Sequence, residues 1–385
     1  MEGSHSSGQA QTLDMRNTPA APATQGRQGR QTARATQEVV VITGASAGVG
    51  RATVRAFARR GAWIGLLARG HAGLEAARAE VEALGGRAIA IPTDVADAEQ
   101  VEAAAAQVEE AFGPIDIWVN DAMTSVFSPF KEMTNDEFKR VTEVTYLGFV
   151  YGTKAALKRM IPRNHGVIVQ VGSALAYRGI PLQSGYCGSK HAIQGFTESV
   201  RTELMHDHSK VRITMVQMPA LNTPQFNWVK SRLPRQAQPV PPIYQPEVAA
   251  EAIYFAAHHK RRQIYVGLST VIAIWGNNMA PWLGDWYLSR TGYKSQQTDQ
   301  LRDPRTPNNL YQPVDDAHDY GAHGRFDQRA TSYSKELWLD LYRPQILGAT
   351  LATLGVAALG ALAWRNKWGL GKVALKGALR RVIGR

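Results

Sequence analysis

Val39-Val40-Val41-Ile42-Thr43-Gly44-Ala45-Ser46-Ala47-Gly48-Val49-Gly50 decides the fold of this 385-residue chain. Four apolar, mostly β-branched residues in succession read as a strand covered on both faces, the pattern of a parallel sheet. The glycines after it mark a tight turn that opens a helix running from Gly48 to Arg60. Glycine is needed there because a Cβ would collide with a diphosphate lying on the turn. The helix N-terminus then presents free N–H groups and a positive dipole end to the phosphates. A strand before the glycines and a helix after them make this turn a dinucleotide site.

The alternation continues outward. Ala62 to Leu67, Ala88 to Ile91, Ile115 to Val119, Val167 to Val171, Val211 to Val216 and Ile264 to Val266 read as further strands. Helical patterns lie between them at His71 to Leu84, 97–112, 134–160, 184–207 and Pro246 to His258. This order implies an α/β fold, a Rossmann-type doubly wound parallel sheet in a single domain. Residues 219–246 hold seven prolines and read as a long loop. Residues 267–290 are apolar and tryptophan-rich (Trp275, Trp282, Trp286), and 291–334 are polar and irregular in pattern. The expected organisation is a disordered basic tail at 1–37, a dinucleotide-binding catalytic domain at 38–266, a partly irregular extension at 267–343, and an apolar helix with a basic tail at 344–385.

The chain is 44% hydrophobic, ample for a buried core, and carries a formal charge of +12. Much of the excess sits at the ends: four arginines and no acid from Met15 to Gln37, seven basic residues and no acid from Arg365 to Arg385. Charge placed this way argues against a specific nucleic-acid surface. The single cysteine, Cys187, excludes an internal disulfide framework and a multi-cysteine zinc site. His258 and His259 are adjacent and do not share a helix face, so no metal site is expected. No apolar signal core opens the chain, and a cytoplasmic location is expected.

The spacing Gly44-x-x-x-Gly48-x-Gly50 resembles the short-chain dehydrogenase/reductase family, and the resemblance runs from Glu38 to about Val266. It implies a nicotinamide dinucleotide held by Gly44, Ser46, Gly48, Val49 and Gly50. The second strand ends Ala68-Arg69, without the acid that binds a ribose 2′-hydroxyl in NAD enzymes. A guanidinium matches a 2′-phosphate in charge and geometry, so NADP is expected over NAD. Asp94-Val95 resembles the family's adenine-contacting pair, and Thr223, in Pro219-Ala220-Leu221-Asn222-Thr223, its nicotinamide contact.

Ser173, Tyr186 and Lys190 stand at the family's catalytic spacing. Tyr and Lys four apart share one helix face. A free phenol has a pKa near 10. An ammonium, together with the positive charge of an oxidised nicotinamide, brings it toward working pH. Tyr186 is thus the expected acid/base, Ser173 steadies the substrate oxygen, and Lys190 also reaches the nicotinamide ribose. The family's fourth catalytic residue is usually an asparagine; here the segment reads Val144-Thr145-Tyr146, and Thr145 takes its place in the proton relay. Asn120-Asp121-Ala122-Met123 stands for the usual Asn-Asn-Ala-Gly. Asn120 is expected to tie neighbouring strands and border the cofactor, while Met123 either narrows the groove or shifts the loop.

The implied function is hydride transfer between NADP(H) and a carbonyl or secondary alcohol. Phe226 and Trp228 in the proline-rich loop point to a hydrophobic substrate. A homo-oligomer is implied by the resemblance. The uncharged run 346–364, backed by the basic tail, is read as a membrane-surface attachment. The alternatives are a dinucleotide-binding scaffold, motivated by Thr145 and Met123, and a membrane-associated protein whose tails supply the function, each with little or no turnover.

Overall fold

The computed structural model describes residues 37–343 and Thr353. The tail at 1–36 and the apolar run 346–364, apart from Thr353, lie outside the described residues. β1 (Val39–Thr43), β2 (Trp63–Ala68), β3 (Arg87–Pro92) and β4 (Ile117–Asn120) open a parallel sheet. A two-residue strand, β5 (Val126–Phe127), leaves it, and β6 (Val167–Val171) and β7 (Arg212–Gln217) rejoin it. The segment 219–246, expected to be one long loop, is broken into β8 (Ala220–Leu221), β9 (Lys230–Ser231), β10 (Arg235–Ala237) and β11 (Ile243–Tyr244). β12 (Gln263–Tyr265) then closes the main sheet at its edge.

The seven strands lie in the order β3-β2-β1-β4-β6-β7-β12, all parallel. Strand order reverses between β1 and β4, and the crevice at the carboxyl ends of those two strands is where such sheets bind ligands. Alternation along β1 feeds two cores. Val40 and Ile42 pack on one face, with Phe57 of α1 (Gly48–Ala58) and Ile253. Val39 and Val41 pack on the other, with Val108 and Met160.

Helices cover both faces: α2 (His71–Ala83), α3 (Ala98–Phe112), α4 (Asn135–Thr142), α5 (Gly148–Arg163) and α6 (Ser184–His206). α7 (Gln225–Trp228) is a single turn, and α8 (Pro246–His258) packs on α1. The stretch 134–160 is not one continuous helix. Glu143–Leu147 forms a π-helical turn between α4 and α5, an irregularity common near functional sites. α4 starts on a capping box: Glu137 N–H donates to Thr134 Oγ1, and Thr134 N–H donates to Glu137 Oε2.

The tryptophan-rich stretch folds into two helices, α9 (Leu268–Met279) and α10 (Pro281–Ser295). The part expected to be irregular includes the end of α10 and β13 (Gln297–Leu301), which pairs antiparallel with β10. β14 (Ala330–Thr331) pairs with β11, and β11 with β8, in a small parallel sheet. Among the described residues, no helix is long and apolar enough to cross a membrane.

Candidate active site

A cavity of about 1000 Å³ opens at the carboxyl ends of β1 and β4. Gly44, Ser46, Gly48 and Val49 line it at one end, and Ser173, Tyr186, Lys190 and Thr223 at the other. Arg69, Asp94 and Val95 also border it. Gly44 and Gly48 adopt φ of +74° and +59°, which only glycine takes freely. A Cβ on Gly50 would sit 2.0 Å from the Gly44 carbonyl oxygen, so that glycine is required to close the turn.

Three predicted residues stand behind the cavity wall instead of on it: Gly50, Asn120 and Thr145. Asn120 is fully buried. Its amide donates to Gln170 Oε1 at 2.9 Å and Thr153 Oγ1 at 3.2 Å, and its oxygen accepts from Trp118 Nε1 at 2.8 Å. It joins β4, β6 and α5 from behind the cavity wall. The Thr145 hydroxyl accepts from Thr124 N–H at 3.0 Å and donates to Thr124 O at 2.8 Å. Its donor and one lone pair are taken, so the side chain ties the loop after β4 to the π-turn.

Ser173 follows β6, its N–H held by Gln217 Oε1 at 2.7 Å and its hydroxyl accepting from Leu175 N–H at 3.1 Å. Gln217 was not foreseen as a support; the signal was a lone polar residue at the end of an apolar strand. Tyr186 and Lys190 lie one turn apart on α6. Lys190 is 2% exposed, and its Nζ donates to Val171 O at 2.7 Å. It sits 4.6 Å above the Phe149 ring centroid and 5.6 Å from that of Tyr186.

Burial raises the Tyr186 phenol well above its usual value; the Ser173 hydroxyl lowers it, and Cys187 and Asp121 push it further up. The protein's own groups thus favour the protonated phenol; the expected lowering is for Lys190 together with the positive nicotinamide. Burial lowers the Lys190 ammonium, and the Asp121 carboxylate counters this. Burial raises Asp121, while Lys190 and the Gly50 N–H favour its ionised form. Asp121, named at first only as a departure from a pattern, is the carboxyl whose charge acts on both Lys190 and Tyr186.

Arg69 does not present a free fork. It donates to Asn309 O at 2.5 Å and to Tyr311 O at 3.1 Å. Asp94 pairs with Arg140 at 2.5 Å, and its other oxygen accepts from Ala96 N–H at 3.1 Å. The helix cap of α3 is Asp97, not Asp94. Farther out, Ile272, Ala273, Leu283 and Trp286 of α9 and α10 line the cavity beside Phe127 and Phe226. Sequence periodicity gave no hint that the extension would roof the site. Among the described residues, no group of three His, Cys, Asp or Glu could hold a metal ion.

This geometry is that of a nucleotide-dependent oxidoreductase, and the comparisons agree. The family model for short chain dehydrogenases matches residues 38–232. The chain belongs to the short-chain dehydrogenase/reductase family. An uncharacterised oxidoreductase of Bacillus subtilis, YxnA, is 34% identical over 82% of this chain and 88% of its own length. The 3-dehydrosphinganine reductase of Danio rerio is 36% identical over 49% of this chain and 57% of its own. Human 17-beta-hydroxysteroid dehydrogenase 13 is 37% identical over 43% of this chain and 56% of its own. Among solved structures, a Streptomyces avermitilis short-chain dehydrogenase has a TM-score of 0.55 at 26% identity, covering 66% of this chain and 99% of that one. A metagenomic short-chain oxidoreductase in complex with NADP has a TM-score of 0.51 at 25% identity, covering 60% and 96%.

Proposed function

We propose that the chain moves a hydride between a nicotinamide dinucleotide and the carbonyl or secondary alcohol of a hydrophobic substrate. One observation carries the reading: Ser173 and Tyr186 border the same cavity as the glycine turn, with Lys190 one helical turn behind. The residues fit a dinucleotide, because Gly44 and Gly48 leave bare backbone along the groove. Gly44, Ser46, Gly48 and Val49 would hold it, with Thr223 and Lys190 toward the nicotinamide end.

When bound, the nicotinamide supplies or accepts the hydride. In the reductive direction Tyr186 Oη gives its proton to the substrate oxygen, while Ser173 Oγ holds that oxygen in place. Lys190 sets positive charge beside the ring as the phenol loses its proton, and Asp121 keeps Lys190 charged. The apolar faces of α9 and α10 favour a bulky hydrophobic partner for the carbonyl carbon. Arg69 taken alone favours NADP(H), as does the NADP in one similar solved structure. Its donors already bound to Asn309 and Tyr311 weigh against that choice. A scaffold with a retained groove is the second reading, favoured by Met123, which lines the cavity. Self-association and membrane attachment through 344–385 belong to the same proposal; the exposed Trp275, Trp282 and Trp286 support an apolar contact by the extension.

The test is a panel of ketones and alcohols followed at the nicotinamide absorbance, with wild type and Tyr186→Phe. Turnover by wild type alone, with both proteins binding dinucleotide, is the expected result. Equal cofactor oxidation by the two would sink the mechanism, and binding without turnover by wild type would favour the scaffold.

A further inference from the structure

The segment from Asn309 to Gly321 lies along the rim where β2 passes into α2. Its hold on that rim is polar and close. Arg69 donates to two of its carbonyls. Ala72 N–H donates to Asp316 O and Gly73 N–H to Asp315 O, each at 3.1 Å, and His71 N–H donates to Asp316 Oδ1 at 3.1 Å. The fully buried Arg51 pairs with Asp319 at 3.1 Å, and Gly48 N–H donates to Gly321 O at 3.1 Å.

The side chain of Asp315 stands apart from these contacts. It is 8% exposed and lines the cavity beside Ser46 and Arg69. Its carboxylate lies so close to the start of α2 that a Cβ on Gly70 would be 2.1 Å from Oδ1 and one on Gly73 2.9 Å from Oδ2. Among the described residues the carboxylate itself takes no hydrogen bond and has no cation within salt-bridge distance, and Arg69 acts on it only from farther away. A buried carboxylate without donors is unfavourable, and the open side of this one faces the groove.

We propose that Asp315 accepts hydrogen bonds from the adenosine ribose hydroxyls of the bound dinucleotide and makes the chain select NAD(H) over NADP(H). The inference rests on the dinucleotide reading above and corrects the preference expected from Arg69. A free ribose diol brings two donors to the carboxylate. A 2′-phosphate leaves only the 3′-hydroxyl as a donor, and its charge of about −1.5 to −2 at neutral pH would meet a like charge. The anion-binding capacity of the rim is already taken: the first N–H groups of α2 and two donors of Arg69 are bound to oxygens of the extension. The acid that a dinucleotide enzyme usually carries at the end of its second strand is delivered here from about 250 residues downstream.

The test is calorimetric titration of the full-length protein with ADP-ribose and with its 2′-phosphorylated form, which reads binding without turnover. Wild type should bind ADP-ribose at least tenfold more tightly. Asp315→Ser should lose that ratio or invert it, and Asp315→Asn, closest in shape, should narrow it if the serine variant does not fold. Asp316→Asn keeps an acceptor for His71 N–H and should leave the ratio unchanged. Tighter binding of the 2′-phosphorylated form by wild type, or an unchanged ratio in a folded Asp315 variant, overturns the proposal while leaving the dinucleotide reading intact. Binding of neither probe overturns both.

Discussion

Thr145 and Thr124 form a closed pair, the hydroxyl of the first bonded to both the N–H and the C=O of the second. The pair is buried and links the π-turn to the loop after β4. Thr145→Val removes both bonds without changing volume. Each buried backbone group left unpaired costs roughly 1–3 kcal/mol. The expected outcome is a clear fall in Tm for Thr145→Val and a small one for Thr145→Ser, read by thermal unfolding. A stable, inactive valine variant would return the hydroxyl to the proton path.

Asp121 is one of the charges that raise the Tyr186 phenol. Neutralising it in Asp121→Asn removes that charge and lowers the phenol's pKa as long as Lys190 stays charged, which its contacts with the Val171 carbonyl and the Phe149 ring favour. Carbonyl reduction needs the protonated phenol, so its alkaline limb should move to lower pH in the variant. Rate–pH profiles of both proteins measure this, and a shift to higher pH would contradict the assignment.

Glu80 joins α1 to α2 through Arg55 at 2.7 Å and Arg51 at 3.0 Å. Burial alone would raise its carboxyl, but the two arginines bring it down to about 2. A depressed carboxylate stabilises the fold above its unfolded value near 4.5, and that contribution fades as pH falls toward 2. Glu80→Gln should therefore be less stable than wild type at neutral pH, with the gap closing between about pH 4.5 and pH 2 in denaturant titrations.

His323 bridges Glu247 at 2.9 Å and Asp327 at 2.8 Å, tying the extension to the start of α8. Burial opposes its charge, yet the two carboxylates raise its pKa above the ordinary imidazole value. The tether is fully present below pH 6.5 and is lost as pH rises through the raised value. Amide exchange in 321–327, corrected for its intrinsic rate, should quicken from pH 6 to pH 9. His323→Ala should exchange quickly at both.

Gly50→Ala places a Cβ 2.0 Å from the Gly44 carbonyl oxygen. Backbone cannot yield as a flexible side chain does, so the turn must open. Loss of ADP-ribose binding by calorimetry is expected, with the far-UV circular dichroism of the remaining sheet retained.

The sheet and the Ser173, Tyr186 and Lys190 set were legible because both follow short-range rules: apolar runs in parallel strands, glycines at a strand-to-helix turn, and an i, i+4 pair. The π-turn was not, because a one-residue change of helical register leaves no mark in an apolar pattern. Asp315 and the rim contacts were hidden for another reason. Segment 309–321 is ordered through backbone carbonyls and carboxylates, which carry no periodicity, and its partners lie far away in sequence. The surroundings of Arg69 were hidden as well: a guanidinium's charge can be read from a sequence, whereas the carbonyl oxygens it already binds cannot.

The parallel sheet of β8, β11 and β14 has a consequence for synthesis. Its strands come from residues 220–221, 243–244 and 330–331, so the last arrives long after the first. A chain emerging from the ribosome can form the glycine turn and β1 to β4 early, although the rim segment 309–321 that packs on them also arrives late. The substrate end must wait for residue 331, and until then its greasy inner walls face water. The slow, error-prone stage of biogenesis should accordingly be the completion of that end, and a holdase would find its target there and not in the glycine turn.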